Sequence, residues 1–228
     1  MVQFDTKTPF FQKRQDCACR SCLDGNMKKY GFFGGTFDPI HFGHLNLAIQ
    51  LKELCALDRV LVCPAMLSPT QPTKFPKASI EHRLAMTRLA IEDIPGFSLL
   101  DHEALRASPS YTIDTLQALI SGQQNHVVYR LLLAEDTACS LEKWKDVKTL
   151  LDLAPPLVGR RYHVIPKELE HLPEFIRIKL QKGYCHIPIM EISSTLIRER
   201  IKKTFYCQHL LPRKVLDYIY AHRLYYAC

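Results

Sequence analysis

Apolar positions along the chain follow two spacings in turn. Short, nearly unbroken apolar runs at residues 28–35, 59–65, 97–100, 127–133, 156–159 and 186–190 predict strands buried on both faces. Between them the spacing opens to three and four. Within 43–57, Leu45, Leu47, Ala48, Leu51, Leu54 and Cys55 fall on one side of a helix. The segments 79–93, 112–120, a stretch reaching about residue 153, and 166–182 read as helices too. A proline-rich loop, 64–76, joins the second strand to the second helix, and after Ser193 two more helical patterns follow at 195–203 and 213–224. Strands alternating with helices predict an α/β fold, a parallel sheet covered on both faces with a small C-terminal helical appendage. Ligands of such sheets lie beyond the carboxyl ends of the strands, where the strand order reverses. The turns at Gly34 and Glu135 both stand at predicted strand ends.

Length and composition narrow this picture. A chain of 228 residues holds one full domain and buries roughly 70% of its unfolded surface. Residues 27–228 are expected to form it. Residues 1–26 are polar and broken by Pro9, which predicts a disordered leader. Cys17, Cys19 and Cys22 lack a fourth ligand at matching spacing, so no metal site is expected there. With no apolar run of about 18 residues and no signal-peptide core, neither a membrane span nor export is expected. The nine cysteines then read as reduced thiols of a cytoplasmic protein. A formal charge of +7 favours anionic partners, but Lys and Arg are scattered, which weakens a nucleic-acid reading.

The chemistry concentrates in two strings. The first is Gly34-Gly35-Thr36-Phe37-Asp38-Pro39-Ile40-His41-Phe42-Gly43-His44, where a strand ends and a helix begins. Its glycines let backbone N–H groups approach a ligand, and the helix N-terminus favours negative charge. His41 and His44, three apart, point to one side and suit a triphosphate, and Gly43 leaves room for a flat base or ribose. The string is neither a dinucleotide fingerprint nor a P-loop. The second is Ile192-Ser193-Ser194-Thr195-Leu196-Ile197-Arg198, a serine-capped helix start with an arginine one turn in. It forms a second phosphate cradle, opposite the histidines. Asp38 and Asp136, near the two turns, are placed to orient nucleotide groups.

Together these strings resemble the nucleotidyltransferase superfamily, and more closely the bacterial nicotinate-nucleotide adenylyltransferase family. Pro109-Ser110-Tyr111-Thr112 followed by Asp114-Thr115-Leu116, and Asp136 followed by Leu141 and Trp144, are similar to further segments of that family. The resemblance spans about 28–224. It implies a Rossmann-like three-layer α/β/α fold and adenylyl transfer from ATP to nicotinate mononucleotide, giving nicotinate adenine dinucleotide and pyrophosphate in NAD biosynthesis. It also implies that His41 and His44 contact the ATP phosphates and that Arg198 reaches the triphosphate. Gly34, Gly35, Thr36, Phe37, Gly43, Ile192, Ser193, Ser194 and Thr195 complete the ATP site. Asp38, Lys74, Thr112, Asp136 and Trp144 belong to the mononucleotide side, with the Trp144 indole as a platform for the pyridine ring. Mg²⁺ is expected to be carried with ATP, with no metal held by protein ligands. ATP and nicotinate mononucleotide are the expected partners, and self-association is left open.

Two positions depart from the family pattern. Its usual Pro-Pro-His-Lys loop reads Ser68-Pro69-Thr70-Gln71-Pro72-Thr73-Lys74, without the histidine, and its Gly-x-Asp turn is Ala134-Glu135-Asp136. Rival readings are a related adenylyltransferase acting on phosphopantetheine or nicotinamide mononucleotide, a non-catalytic nucleotide sensor, and a nucleic-acid-binding protein.

Overall fold

The apolar runs pair into one sheet because each has too few polar positions to face water on either side. A computed structural model describes residues 27–67, 75–104, 111–122, 126–160, 167–188 and 190–226. Six strands, β1 (Lys28–Gly35), β2 (Arg59–Pro64), β3 (Phe97–Leu99), β4 (Val127–Ala134), β5 (Pro156–Arg160) and β6 (Tyr184–His186), lie in the order β3-β2-β1-β4-β5-β6. Every neighbouring pair is parallel. The order therefore reverses between β1 and β4, and a crevice opens beyond their carboxyl ends.

Alternate residues of each central strand feed opposite faces. Phe33, Val60, Val62, Leu132 and Leu157 enter one core, while Phe32, Leu61, Leu131, Leu133 and Val158 enter the other. The first face is covered by α1 (Phe42–Leu54), α2 (Ile80–Ile91), α8 (Ser194–Lys202) and α9 (Arg213–Ala221). The second is covered by α3 (Thr112–Ser121), α5 (Val147–Leu153) and α7 (Glu174–Gly183). This is the expected three-layer α/β/α arrangement. The C-terminal helices do more than append: Ile197, Ile201, Val215, Leu216 and Ile219 are buried in the same core as α1 and α2.

Three elements differ from the apolar pattern, each for a local reason. The helical stretch expected to run to about 153 breaks into α4 (Glu135–Ala138), a 3-10 turn at Leu141–Lys143, and α5. Trp144 is extended and Asp146 left-handed, at φ 44°, so the chain turns sharply before α5. The helix expected over 166–182 is divided into α6 (Lys167–Glu170) and α7 by Pro173, which disfavours helical backbone at the residue before it. The strand expected over 186–190 begins earlier, at Tyr184, and ends at His186. Gly183 sets this start, because a Cβ there would lie 2.0 Å from the Pro156 carbonyl oxygen. The leader, with its three cysteines, lies outside the described residues.

Candidate active site

The crevice between β1 and β4 widens into a cleft of about 780 Å³. Gly34 and Gly35 at the carboxyl end of β1, with Thr36 and Phe37 just after it, form its floor, His44 projects from α1, and Ala134 at the end of β4 closes it with Asp136. Ser194, Thr195 and Arg198 line it from the first turn of α8, while Thr112 and Trp144 line it from the α3 side. Segments far apart in sequence thus meet where the strand order reverses.

His41 is the N-cap of α1: its Nδ1 accepts from the His44 N–H at 3.4 Å. That bond assigns the ring proton to Nε2, which leaves a donor on the far edge of the ring. The two imidazoles stack with centroids 3.7 Å apart and planes 23° from parallel. His44 also meets the Phe37 ring edge-on at 5.1 Å. Burial makes charge costly here, so the His41 pKa falls from its ordinary value to about 4. His44 falls well below its ordinary value, first through desolvation and then through repulsion from His41. Both rings are therefore neutral at pH 7. The His44 Nδ1 is buried without a hydrogen-bond partner among the described residues, a polar atom ready for an incoming ligand.

Gly43 has a different use from the one its position suggests. A Cβ there would come within 3.1 Å of the His41 ring and of the Met190 carbonyl oxygen. The room its missing side chain leaves is bounded by the His41 imidazole and the Met190 backbone, so Gly43 allows the histidine stack its position.

Asp38 is buried at 5% exposure and its carboxylate is already engaged. Oδ2 accepts from the Lys77 N–H at 2.7 Å, and Oδ1 accepts from the Ala78 N–H at 3.1 Å and the Tyr225 hydroxyl at 2.7 Å. The Asp38 carbonyl oxygen accepts from Arg198 Nη1 at 2.7 Å. Arg198 Nη2 donates to Thr195 Oγ1 at 3.1 Å, and Nη1 stands 3.8 Å from Asp38 Oδ2. Asp38 thus lines the cleft, where the sequence placed it, and also organises its wall.

The serines act locally as well. Ser193 Oγ caps α8 by accepting from the Leu196 N–H at 3.1 Å, and Ser194 Oγ donates to the Pro39 carbonyl at 2.9 Å. The second bond ties the α8 start to the loop after β1. Ile192, Ser193 and Gly43 are not among the lining residues, and His41 adjoins the lining through its stack on His44. Lys74 lies outside the described residues; Lys77, three positions on, lines the cleft.

Thr112 and Trp144 are brought together by Lys145, whose Nζ bonds both Asp114 carboxylate oxygens at 2.8 and 2.9 Å and lies 4.7 Å from the Tyr111 ring centre. The Trp144 indole N–H is buried and has no acceptor among the described residues. At the β4 turn, Asp136 Oδ1 accepts from the Thr137 N–H at 2.7 Å. Glu135, the residue between Ala134 and Asp136, pairs with Arg160 at 3.0 Å, and that guanidinium lies over the Tyr184 ring at 4.2 Å. The Ala134-Glu135-Asp136 turn is therefore anchored from β5 and β6.

Sequence reasoning missed two residues of this architecture. Arg83 is 1% exposed and donates to four carbonyls, of Thr36 (2.8 Å), Ala65 (2.6 Å), Met66 (3.0 Å) and Ala78 (3.3 Å). Its signal was available: an arginine on the buried face of α2, in phase with Ile80, Met86 and Ala90. Tyr225 carries no comparable signal.

The cytidylyltransferase-like family matches residues 32–200. The chain is 36% identical over 208 residues to nicotinate-nucleotide adenylyltransferase of Salmonella typhimurium, covering 85% of this chain and 96% of that protein. It is 34% identical over 206 residues to a probable nicotinate-nucleotide adenylyltransferase of Herpetosiphon aurantiacus, covering 88% and 100%. In fold it is similar to Plasmodium falciparum nicotinic acid mononucleotide adenylyltransferase complexed with NaAD, with a TM-score of 0.68 at 22% identity over 87% of this chain and 97% of that one.

Proposed function

Because the chain belongs to the cytidylyltransferase-like family, and within it groups with the nicotinate-nucleotide adenylyltransferases, we propose that its cleft joins ATP to nicotinate mononucleotide in NAD biosynthesis. The observation that carries this assignment to the site is the pair of stacked, neutral imidazoles beside a glycine floor, with Arg198 lining the same cleft.

An oxygen of the mononucleotide 5′-phosphate attacks the α-phosphorus of ATP, a new P–O bond forms, and the bond to the β-phosphate oxygen breaks in line. Pyrophosphate leaves, and nicotinate adenine dinucleotide remains. The nucleophile is already an anion, so no covalent enzyme intermediate is required, and the protein positions the groups and stabilises charge. His44, and His41 through its Nε2 proton, donate toward the α-phosphate and bridging oxygens as charge builds there. Arg198 and the first turn of α8 hold the β- and γ-phosphates. Thr112 and Trp144 take the pyridine ring, and the Trp144 N–H offers a donor to its polar edge.

Mg²⁺ would be carried on the ATP phosphates and not held by protein ligands. The cleft fits this role, because the Asp38 carboxylate is filled by backbone and tyrosine donors and the histidines serve as donors themselves. The ion supplies charge neutralisation for the leaving pyrophosphate. Residues 27–228 act as one nucleotidyltransferase domain, and a cytoplasmic setting goes with this reading. No helix among the described residues is long and apolar enough to cross a membrane.

Pyrophosphate release with ATP and Mg²⁺, offering nicotinate mononucleotide, nicotinamide mononucleotide or phosphopantetheine in parallel, tests the assignment. Release chiefly with nicotinate mononucleotide is expected. Release chiefly with another acceptor moves the substrate, and ATP binding without release from any of them turns the protein into a nucleotide sensor.

A further inference from the structure

Beyond α9 the backbone reverses through two residues in the left-handed region, Arg223 at φ 50° and Tyr225 at φ 69°. Bulky residues adopt that region only when surrounding contacts hold them there. What holds Tyr225 is the site: its hydroxyl donates to Asp38 Oδ1 at 2.7 Å and approaches Met86 Sδ at 4.0 Å. Tyr225 is not among the residues that line the cleft. It reaches substrate only through Asp38.

We propose that Tyr225 is a positioning residue for the triphosphate, setting the aim of the Arg198 guanidinium through the carboxylate and carbonyl of Asp38. Four bonds converge on Asp38. The Lys77 and Ala78 N–H groups hold the carboxylate from the segment before α2, Tyr225 holds it from the C-terminal side, and Arg198 takes the carbonyl. With two backbone donors fixed by α2, the Tyr225 hydroxyl supplies the restraint from the opposite side. Asp38 Oδ2 already stands within ion-pair distance of Arg198 Nη1, at 3.8 Å. Without the Tyr225 bond to Oδ1 the carboxylate, left on its two backbone donors, can tilt to close that gap and strengthen the ion pair at the expense of the bond to the carbonyl. An arginine neutralised in this way is a poorer partner for β- and γ-phosphates. Arg83 lies beside the same carboxylate but is committed to four carbonyls, so it does not replace the tyrosine. The phenol stays protonated across the working range, because burial and the neighbouring Asp38 charge both push its pKa up.

This inference rests on Arg198 acting on the triphosphate, so its test has a readout independent of turnover. Binding of inorganic tripolyphosphate is measured by calorimetry on the full chain, wild type, Tyr225→Phe, Arg198→Ala and the double variant, below their unfolding temperatures. In parallel, KM for ATP and for nicotinate mononucleotide are measured. Tyr225→Phe should weaken tripolyphosphate and raise the ATP KM about five- to tenfold, the loss of one charge-assisted hydrogen bond. The mononucleotide KM should stay within about twofold, since the bonds of Tyr225 among the described residues go to Asp38 and Met86 and not to Thr112 or Trp144. In the Arg198→Ala background the same change should add nothing. Equal effects in both backgrounds, unchanged tripolyphosphate binding, or a parallel rise in both KM values would overturn the proposal. A wild type that binds tripolyphosphate but releases no pyrophosphate would instead overturn the assigned reaction.

Discussion

His41 caps the helix that carries His44, and the two rings stack at 3.7 Å, so one imidazole fixes the position of the other. The pair behaves as a unit: the backbone N–H of one histidine is an acceptor's partner for the ring of the other. Removing the outer ring should therefore leave the inner one in place. His44→Ala is expected to lower kcat by about 10²–10³, the usual effect of losing one preorganised donor. The unfolding midpoint should change little, because α1 keeps its cap. A kcat near wild type would show that His44 does not stabilise the transition state.

Acid stability follows from the same two rings. Both titrate below the unfolded value near 6.5, so the unfolded chain binds more protons than the folded one between about pH 4 and 6.5. Stability is then fully present above pH 6.5 and falls as the solution is acidified through that window. His41, folded pKa about 4, contributes a loss of about 3 kcal/mol at pH 4 relative to pH 7.5. Urea unfolding at steps between pH 4 and 7.5 should show this slope, and His44→Ala should flatten it. A stability independent of pH over that range would contradict the neutral stack.

Gly43→Ala puts a methyl 3.1 Å from the His41 ring and from the Met190 carbonyl. The backbone carbonyl cannot swing away, so the imidazole must move. Turnover should fall roughly ten- to a hundredfold, as small misplacements of reacting groups do. Circular dichroism and the thermal midpoint should stay close to wild type. A large drop in midpoint with unchanged turnover would show that Gly43 serves packing alone.

Arg83→Met keeps the apolar stem and strands four carbonyls that a guanidinium now satisfies. Buried acceptors left unmade are costly, and a loss of about 3 kcal/mol or more is expected in equilibrium unfolding. Because Thr36 and Ala65, two of those carbonyl residues, line the cleft, ATP binding should weaken along with stability. A variant of wild-type stability would mean that water satisfies those carbonyls.

The histidine string was readable in the sequence because it combines chemistry with a fixed place, the end of the first strand. The alternation of short apolar runs with helical spacing likewise predicts a sheet covered on both faces. What the residues did not reveal was which polar groups face the ligand and which face each other. Asp38 and Ser194 are polar residues inside a nucleotide motif, yet their side chains bond Tyr225 and Pro39, whereas the Ser193 cap on Leu196 was readable from local spacing. Local spacing carries no information about partners more than a hundred residues away. Pro173 and the left-handed Asp146 divided two helices whose apolar periodicity continued across the break. Arg83 shows the opposite case, a charged residue whose burial phase within α2 was legible in advance.

The position of Arg198 after every strand of the sheet has a consequence for synthesis. Strands β1 to β6 are complete by His186, so a growing chain can form the whole sheet, with its glycine floor and histidines, before α8 leaves the ribosome. Helix α8, which carries Arg198, and Tyr225 follow every strand in the chain and so emerge after the sheet. A chain that stops short of Ser194 lacks the α8 wall of the cleft and, with it, the core positions Ile197, Ile201, Val215, Leu216 and Ile219 that cover one face of the sheet, so the complete cleft and the complete core arrive together.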